Sequence, residues 1–330
     1  RMTDDWVPIF DKSLPDIIDT LRDLELDIAL DLAGHTSNNG LAMMAHRVAP
    51  VQMSWLGYPN TTGLMHMDYR IVDHITDPVD ADRSSYTEEL VRMDRCFLCY
   101  TPPTSLPQIE DKSSRQGVVF GSFNAITKIN ADVLDSWIKI IAQVPGSKLV
   151  VKSLLIGEDK LVDNVRKRFI DQGVDGDRLE VLGAMHNPFD HVNLYNEIDI
   201  GLDPYPYNGT TTTCEAMSMG IPIITLCGDI HASRVGASLL TAMGLEEFIA
   251  HSPEDYINKA VRLAQDKQKL RALQASLRDR LMASSLVDGA DYTQHFSQTL
   301  RDAWGRYCET GVSRGIERHG DGASLMVSAE

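Results

Sequence analysis

From Val118 onward short apolar runs alternate with amphipathic ones, and this alternation limits the fold more than any other feature of the chain. VVFGSF (118–123), KLVVKS (148–153), LEVLG (179–183), IDIGLD (198–203), IPIITL (221–226) and EFIA (247–250) read as strands. Between them, 131–143, 159–172, 188–196, 212–219, 231–243 and 253–265 read as helices. A strand followed by a crossover helix and another strand makes a parallel pair, so the repeated unit predicts an α/β fold with a doubly wound parallel sheet. The loops after the strands then share one edge, where ligands bind. Those loops are 124–130, 153–159, 184–188, 203–212 and 227–231.

The first third is also α/β, with fewer units: a helix near 13–24, strands at 26–32, 51–57 and 69–73, and a helix at 39–47. RCFLCY (95–100) reads as a further strand. By itself this set makes an incomplete sheet, as of a lobe whose opening strands were left out. TPPTSLPQIEDKSSRQ (101–116) is rich in Pro, Ser and charge and reads as a linker. The division expected is 1–112 as an N-terminal lobe on the acceptor side, 113–285 as a Rossmann-like donor lobe, 286–308 as a C-terminal helix and 309–330 as a disordered tail. Trp304 and Tyr307 are able to dock that helix on a neighbouring lobe.

A chain of 330 residues suits two such domains. Its formal charge of −16 disfavours an electrostatic grip on nucleic acid or an anionic membrane, which points to small molecules and proteins as partners. Five cysteines, an odd and sparse set, point to a reducing compartment. Cys96 and Cys99 spell CxxC, but the second ligand pair that a zinc site needs is missing. There is no secretory signal and no apolar run of bilayer length. The opening RMTDDW, without an initiator Met, reads as a fragment or a processed product.

The segment 198–226, IDIGLDPYPYNGTTTTCEAMSMGIPIITL, combines a strand, a turn, a threonine-rich helix start and a second strand. The first turn of a helix offers unpaired N–H groups and the positive end of the dipole, and threonine hydroxyls add donors without charge. One Ser or Thr there is an ordinary cap. Four in succession after Asn208-Gly209, at the carboxyl end of a strand, fit a diphosphate. Asp175-Gly176-Asp177 is the nearest DxD, but it sits between a helix and a strand and reads as a plain turn.

The motifs reach further than the architecture. GLAMMAHRVAPVQMSWLGYPNTTGLMHMDYRIVD (40–73), EELVRMDRCFLCYTP (88–102), FGSFNAITKI (120–129) and YNGTTTTCEAMSMGIP (207–222) closely resemble the catalytic region of the SPINDLY-type protein O-fucosyltransferases. These are relatives of the O-GlcNAc transferases, and the resemblance runs from about Leu26 to about Tyr307. It implies a GT-B fold, two Rossmann-like lobes with a nucleotide-sugar cleft between them. It also implies a further strand and a histidine-containing loop ahead of Leu26, and tetratricopeptide repeats upstream. Ala125 stands where relatives carry Asn or Gln near the donor.

The activity so implied is inverting, metal-independent transfer of fucose from GDP-fucose to Ser or Thr of nuclear and cytoplasmic proteins. The GTTTTCE wording favours the fucosyl branch over UDP-GlcNAc transfer, since the latter's relatives usually place a histidine before the paired threonines. An O-GlcNAc transferase and a catalytically weak nucleotide- or partner-binding fragment are the alternatives; a Rossmann oxidoreductase is disfavoured because no GxGxxG follows an opening strand. By the same resemblance Lys128 contacts the diphosphate, the alternative being a solvated loop lysine, and His191 the nucleotide, the alternative being a helix-packing histidine. Asn208, Gly209, Thr210, Thr211 and Thr212 cradle phosphates and ribose, and Glu215 binds ribose hydroxyls unless it is only a first-turn acid favoured by the dipole. No cofactor or metal is expected. Gly57, Pro59, Thr61 and Thr62 in GYPNTTG, with His35 in DLAGHT, are assigned to the sugar and acceptor side, although turn capping accounts for Thr61 equally well. His35 is available as a general base; His46, His66 and His74 are alternatives.

Overall fold

The computed structural model describes residues 5–152, 159–183, 185 and 187–312. The loop 153–158, Ala184, His186 and the tail beyond 312, about which expectations were stated, lie outside the described residues.

Two wholly parallel sheets carry the chain. The first joins β1 (Ile28–Asp31), β2 (Val51–Ser54), β3 (Tyr69–Asp73) and β4 (Glu89–Met93) in sequential order. Helix α1 (Leu14–Asp23) starts where Ser13 accepts from the Asp16 amide, and Pro15 occupies its first turn, where the missing N–H costs nothing. With the short α2 (Leu41–Met44) it buries Ile18, Leu41 and Met44 against Val48 and Met67.

The second sheet contains β5 (Val119–Ser122), β6 (Lys148–Lys152), β7 (Leu179–Leu182), β8 (Ile200–Leu202), β9 (Ile223–Leu226) and β10 (Ile249–Ala250). Its spatial order is β10-β9-β8-β5-β6-β7. The chain steps outward from β5 to β7, returns to lay β8 beside β5, and then steps the other way. The order therefore reverses between β5 and β8, and loops leaving those two strands diverge to open a crevice. The helices are α3 (Ala131–Gln143), α4 (Asp159–Asp171), α5 (Pro188–Asn193), α6 (Thr211–Ser218), α7 (Val235–Ala242), α8 (Pro253–Gln265) and α9 (Lys267–Met282). Trp137 of α3, fully buried, donates its indole N–H to the Tyr256 hydroxyl at 3.0 Å, and Tyr256 donates to the Asp203 carbonyl at 2.9 Å. The core thus reaches directly under the loop after β8.

Helix α10 (Gly289–Thr310) returns to the first lobe. Tyr292 and Ala303 are buried with Val51, Met53, Tyr69 and Ile71, while Trp304 and Tyr307 pack against that cluster. Burying one such aromatic contributes about 1.5–3 kcal/mol, so the return helix is held firmly. The lobes also meet behind the crevice. His231 Nδ1 lies 2.6 Å from Asp77 Oδ2, Ser238 donates to Asp73 Oδ2 at 2.6 Å, and Arg234 Nε donates to the Ile75 carbonyl at 2.6 Å. Among the described residues no helix is long and apolar enough to cross a membrane.

Several elements differ from expectation. RCFLCY is irregular, and the strand is the preceding Glu89–Met93. The apolar run peels away because its backbone bonds elsewhere: the Phe97 amide to Asp73 Oδ2 at 2.9 Å, the Phe97 carbonyl to the Trp55 indole at 2.7 Å, and the Tyr100 amide to the Leu286 carbonyl at 2.8 Å. The expected helix 231–243 is a 3-10 turn, His231–Ser233, followed by α7; Arg234 between them has φ −119° and its guanidinium is drawn to carbonyls outside the helix. The expected helix 188–196 is likewise α5 plus a 3-10 turn, and the strand 51–57 stops at Ser54, shortly before Leu56 takes φ 73°. The strand expected at 247–250 covers only Ile249–Ala250, because a 3-10 turn takes up Glu246–Phe248.

Candidate functional site

The crevice floor is built by the loop after β8. Asp203, 1% exposed, accepts from the Gly209 amide at 2.6 Å and from Thr225 Oγ1 at 2.7 Å. Burial pushes its carboxyl up to about 7, against the opposing pull of those two bonds and of the Lys128 charge. The Asn208 side chain is spent inside the loop, donating to the Pro204 carbonyl at 3.0 Å and accepting from the Gly236 amide at 3.2 Å. A Cβ at Gly209 would lie 2.7 Å from the hydroxyls of Thr212 and Thr213 and 2.9 Å from Asn124 Oδ1, so only glycine lets the loop close onto the helix.

Thr210 occupies the N-cap of α6 yet makes no side-chain cap bond, which sets aside the ordinary capping role. Thr211 and Thr212 follow in the first turn, Thr211 exposed and Thr212 donating Oγ1 to Asn124 Oδ1 at 2.9 Å. That bond clamps the helix start to the loop after β5. The first turn of α6 contains no acidic residue, so Glu215 is not a first-turn acid and lies deeper in the helix. From the loop after β5, Lys128 donates to the Asn208 carbonyl at 2.7 Å and sits 3.9 Å over the Tyr207 ring. Burial lowers its pKa, and Asp203 partly restores it. A half-buried cation, with Asp203 buried within its electrostatic reach, therefore stands beside the positive end of a helix whose own first turn holds no acid, an arrangement that attracts a dianionic group.

His191, near the end of α5, faces α6. Its Nε2 lies 3.0 Å from Glu215 Oε2, and its Nδ1 meets Lys152 Nζ. Tyr195 donates to the Thr212 carbonyl at 3.0 Å with its oxygen 3.4 Å from the same Glu215 oxygen. Lys152, Tyr195, Asn124 and Asp203 escaped the sequence reading. Only Asp203, the last residue of IDIGLD, carried a signal, as a carboxylate ending a buried strand.

In the first lobe Asp31 ends β1 and accepts from the Gly34 amide at 2.8 Å, turning the chain toward His35. His35 Nε2 lies 2.8 Å from the Thr62 carbonyl, which only accepts; Nε2 therefore carries the hydrogen and the basic lone pair is on Nδ1. A Cβ at Gly57 would lie 2.0 Å from the Leu32 carbonyl, which is how the loops after β1 and β2 approach so closely. Pro59 lies between Gly57 and the two threonines. Thr61 Oγ1 donates to Glu88 Oε2 at 2.6 Å, and the Thr62 amide donates to Glu88 Oε1 at 2.6 Å, with the Thr62 hydroxyl on the same oxygen. Both hydroxyls expected on the acceptor side are thus engaged by a buried Glu88 that the sequence reading missed. Beneath them Arg70, fully buried, donates to the Tyr58 carbonyl at 2.7 Å. Burial lowers its pKa against the opposing influence of Tyr86, Asp77, Glu88 and Asp31.

His35 and Tyr58 make an edge contact with ring centroids 5.1 Å apart. Burial raises the Tyr207 phenol, and Tyr58 adds to that rise. His66 is bound to the Ala45 carbonyl at 2.6 Å, and His74 lies 3.4 Å from Asp94. Among the described residues no group of three His, Cys, Asp or Glu is placed to hold a metal ion. Asp175 accepts from the Asp177 amide, a turn as expected. Cys96 is free and buried, its thiol pushed up to about 12 mainly by burial.

Residues 15–115 and 108–296 match the model of Glycosyl transferase family 41. A protein of Petunia hybrida named probable UDP-N-acetylglucosamine-peptide N-acetylglucosaminyltransferase SPINDLY is 42% identical over 313 residues, covering 93% of this chain and 33% of its own length. The Arabidopsis thaliana protein of that name is 41% identical, covering 93% of this chain and 34% of its own length. The chain therefore spans about a third of these relatives. A mutant of the Thermobaculum terrenum O-GlcNAc transferase superposes with a TM-score of 0.89 at 34% identity, over 94% of this chain and 59% of that one. Sucrose-phosphate synthase from Thermosynechococcus elongatus, at 13% identity and a TM-score of 0.58 over 91% of this chain and 81% of that one, shares the fold alone. The architecture is the two-lobed GT-B arrangement, with Rossmann-like lobes flanking the crevice.

Proposed function

This chain belongs to glycosyl transferase family 41, and from that premise we propose that it carries the catalytic region of an inverting protein O-glycosyltransferase whose donor is GDP-fucose. The observation that carries the reading is the convergence of Lys128 and the uncapped, acid-free start of α6 at the strand-order reversal. In the transfer the acceptor hydroxyl oxygen bonds to the anomeric carbon while the bond from that carbon to the β-phosphate oxygen breaks, and the diphosphate leaves with the electron pair. Lys128 and the first-turn N–H groups of α6 oppose the charge that grows there. The acceptor proton goes to a base, for which His35 Nδ1 is the available lone pair on the opposite lobe. Glu215 and His191 would hold the ribose and nucleotide.

The helix dipole and Lys128 supply positive potential without a metal, which supports a metal-independent reaction. The free state of all five cysteines supports action in the reducing nucleus and cytoplasm, on Ser and Thr of proteins there. The GTTTTCE wording supports fucose as the sugar. A second reading, UDP-GlcNAc as donor, is favoured by the names that the relatives carry. Titration calorimetry with GDP and with UDP, each repeated in EDTA, tests these readings. Tighter GDP binding that survives EDTA is expected; tighter UDP binding overturns the fucosyl reading, and loss of binding restored by magnesium or manganese overturns the metal-free one.

A further inference from the structure

Lys152 ends β6, beside the strand-order reversal, and is 6% exposed. Among the described residues no carboxylate lies within ion-pair distance of its ammonium. Its contact is instead His191 Nδ1, and His191 Nε2 in turn lies 3.0 Å from Glu215 Oε2.

With Lys152 as the ammonium, the favoured site of the proton because an amine is far more basic than imidazole, three protonation arrangements of the ring remain, and electrostatics separates them. An imidazolium would aim Nδ1–H at the ammonium, setting donor against donor and cation against cation. A neutral ring with its hydrogen on Nδ1 would turn the Nε2 lone pair onto the carboxylate, setting acceptor against acceptor. Only the neutral ring with its hydrogen on Nε2 makes each contact a donor facing an acceptor: ammonium to Nδ1, and Nε2–H to Glu215.

We propose that Lys152 is a positioning residue of the donor site, holding His191 in the Nε2–H form so that Glu215 is fixed through Oε2 and offers Oε1 to the vicinal hydroxyls of a nucleoside diphosphate's ribose. The inference deepens the nucleotide-site reading and rests on it. Glu215 Oε2 lies 3.0 Å from His191 Nε2, whereas Oε1 receives no hydrogen bond from the described residues. Burial lowers the Lys152 pKa and the Glu215 charge opposes that, so the lysine and the carboxylate support each other across the ring.

The test uses Lys152→Met, which keeps the stem and removes the charge, with Lys152→Arg as the conservative variant. ¹⁵N spectra of histidine-labelled protein, with His191→Gln to assign the signal, should show the Nε2–H tautomer in the parent chain. Lys152→Met removes the cation that opposes a hydrogen on Nδ1, so an imidazolium signature should replace the Nε2–H one, and GDP should bind about ten-fold more weakly, the scale of one charge-assisted contact. Lys152→Arg should restore the signature. A parent-like tautomer and parent-like GDP affinity in Lys152→Met overturn the proposal. If the parent chain binds neither GDP nor UDP, the nucleotide-site reading fails and the proposal with it, whereas GDP binding by the parent that Lys152→Met leaves unchanged sinks the Lys152 role alone.

Discussion

Asp203→Asn tests the most strongly perturbed carboxyl of the crevice floor. Burial raises this group from 3.8 to about 7, roughly three pKa units, which corresponds to on the order of 4 kcal/mol between its two protonation states. A carboxyl whose folded-state pKa lies above its unfolded value favours the fold when protonated. Its contribution is therefore complete below about pH 4 and is lost as pH rises through about 7, at roughly 1.4 kcal/mol per pH unit in between. Asparagine imitates the protonated form: its Oδ1 still accepts the Gly209 amide, and the Thr225 hydroxyl rotates to accept from Nδ2. The variant should gain on the parent chain by about 3 kcal/mol between pH 5 and pH 8. Urea unfolding of both proteins at pH 5, 6, 7 and 8, followed by tryptophan fluorescence, measures that difference. Trp137 is a local reporter, two hydrogen bonds from the Asp203 carbonyl. A difference that stays constant with pH would refute the reasoning, because it would mean that Gly209, Thr225 and Lys128 keep Asp203 ionised despite its burial.

Two further outcomes are expected. Lys128→Met should lower turnover by about 10²–10³, the cost of losing one electrostatic donor to a leaving group, while thermal stability changes little because the methionine stem still covers Tyr207; near-parental transfer rates would remove Lys128 from the mechanism. Gly209→Ala should push the first turn of α6 away from Asn124, since the new methyl meets two hydroxyls at 2.7 Å, and should cost about 1–3 kcal/mol together with most GDP affinity; calorimetry and thermal unfolding that both match the parent would show that the loop relaxes freely.

What could be read directly from residues was local. Helix α3 spans the expected 131–143 because Asn130 caps it by accepting from the Val133 amide, and α8 spans the expected 253–265 because Ser252 caps it and Pro253 opens it. The strands of the second sheet were legible as apolar runs of strand length between helices, and the threonine loop as turn chemistry followed by a helix start. Where the chain's own neighbours do not decide, the reading failed. RCFLCY has the composition of a strand, but its backbone is claimed by Asp73, Trp55 and Leu286, and Arg234 breaks a helical pattern to reach a carbonyl of the other lobe. The site was legible in part for the same reason. Its threonines and Lys128 stood out by type, yet the contacts that give them roles join residues 80 positions apart for Lys128 and Asn208, 88 for Thr212 and Asn124, 39 for Lys152 and His191, and 26 for Thr62 and Glu88. Sequence alone determined those strands and helices whose limits are set by side chains within a turn of one another, and which residue types stand at their ends. The sheet order, and with it which loop ends face one another, was decided only when the packed core brought distant segments together.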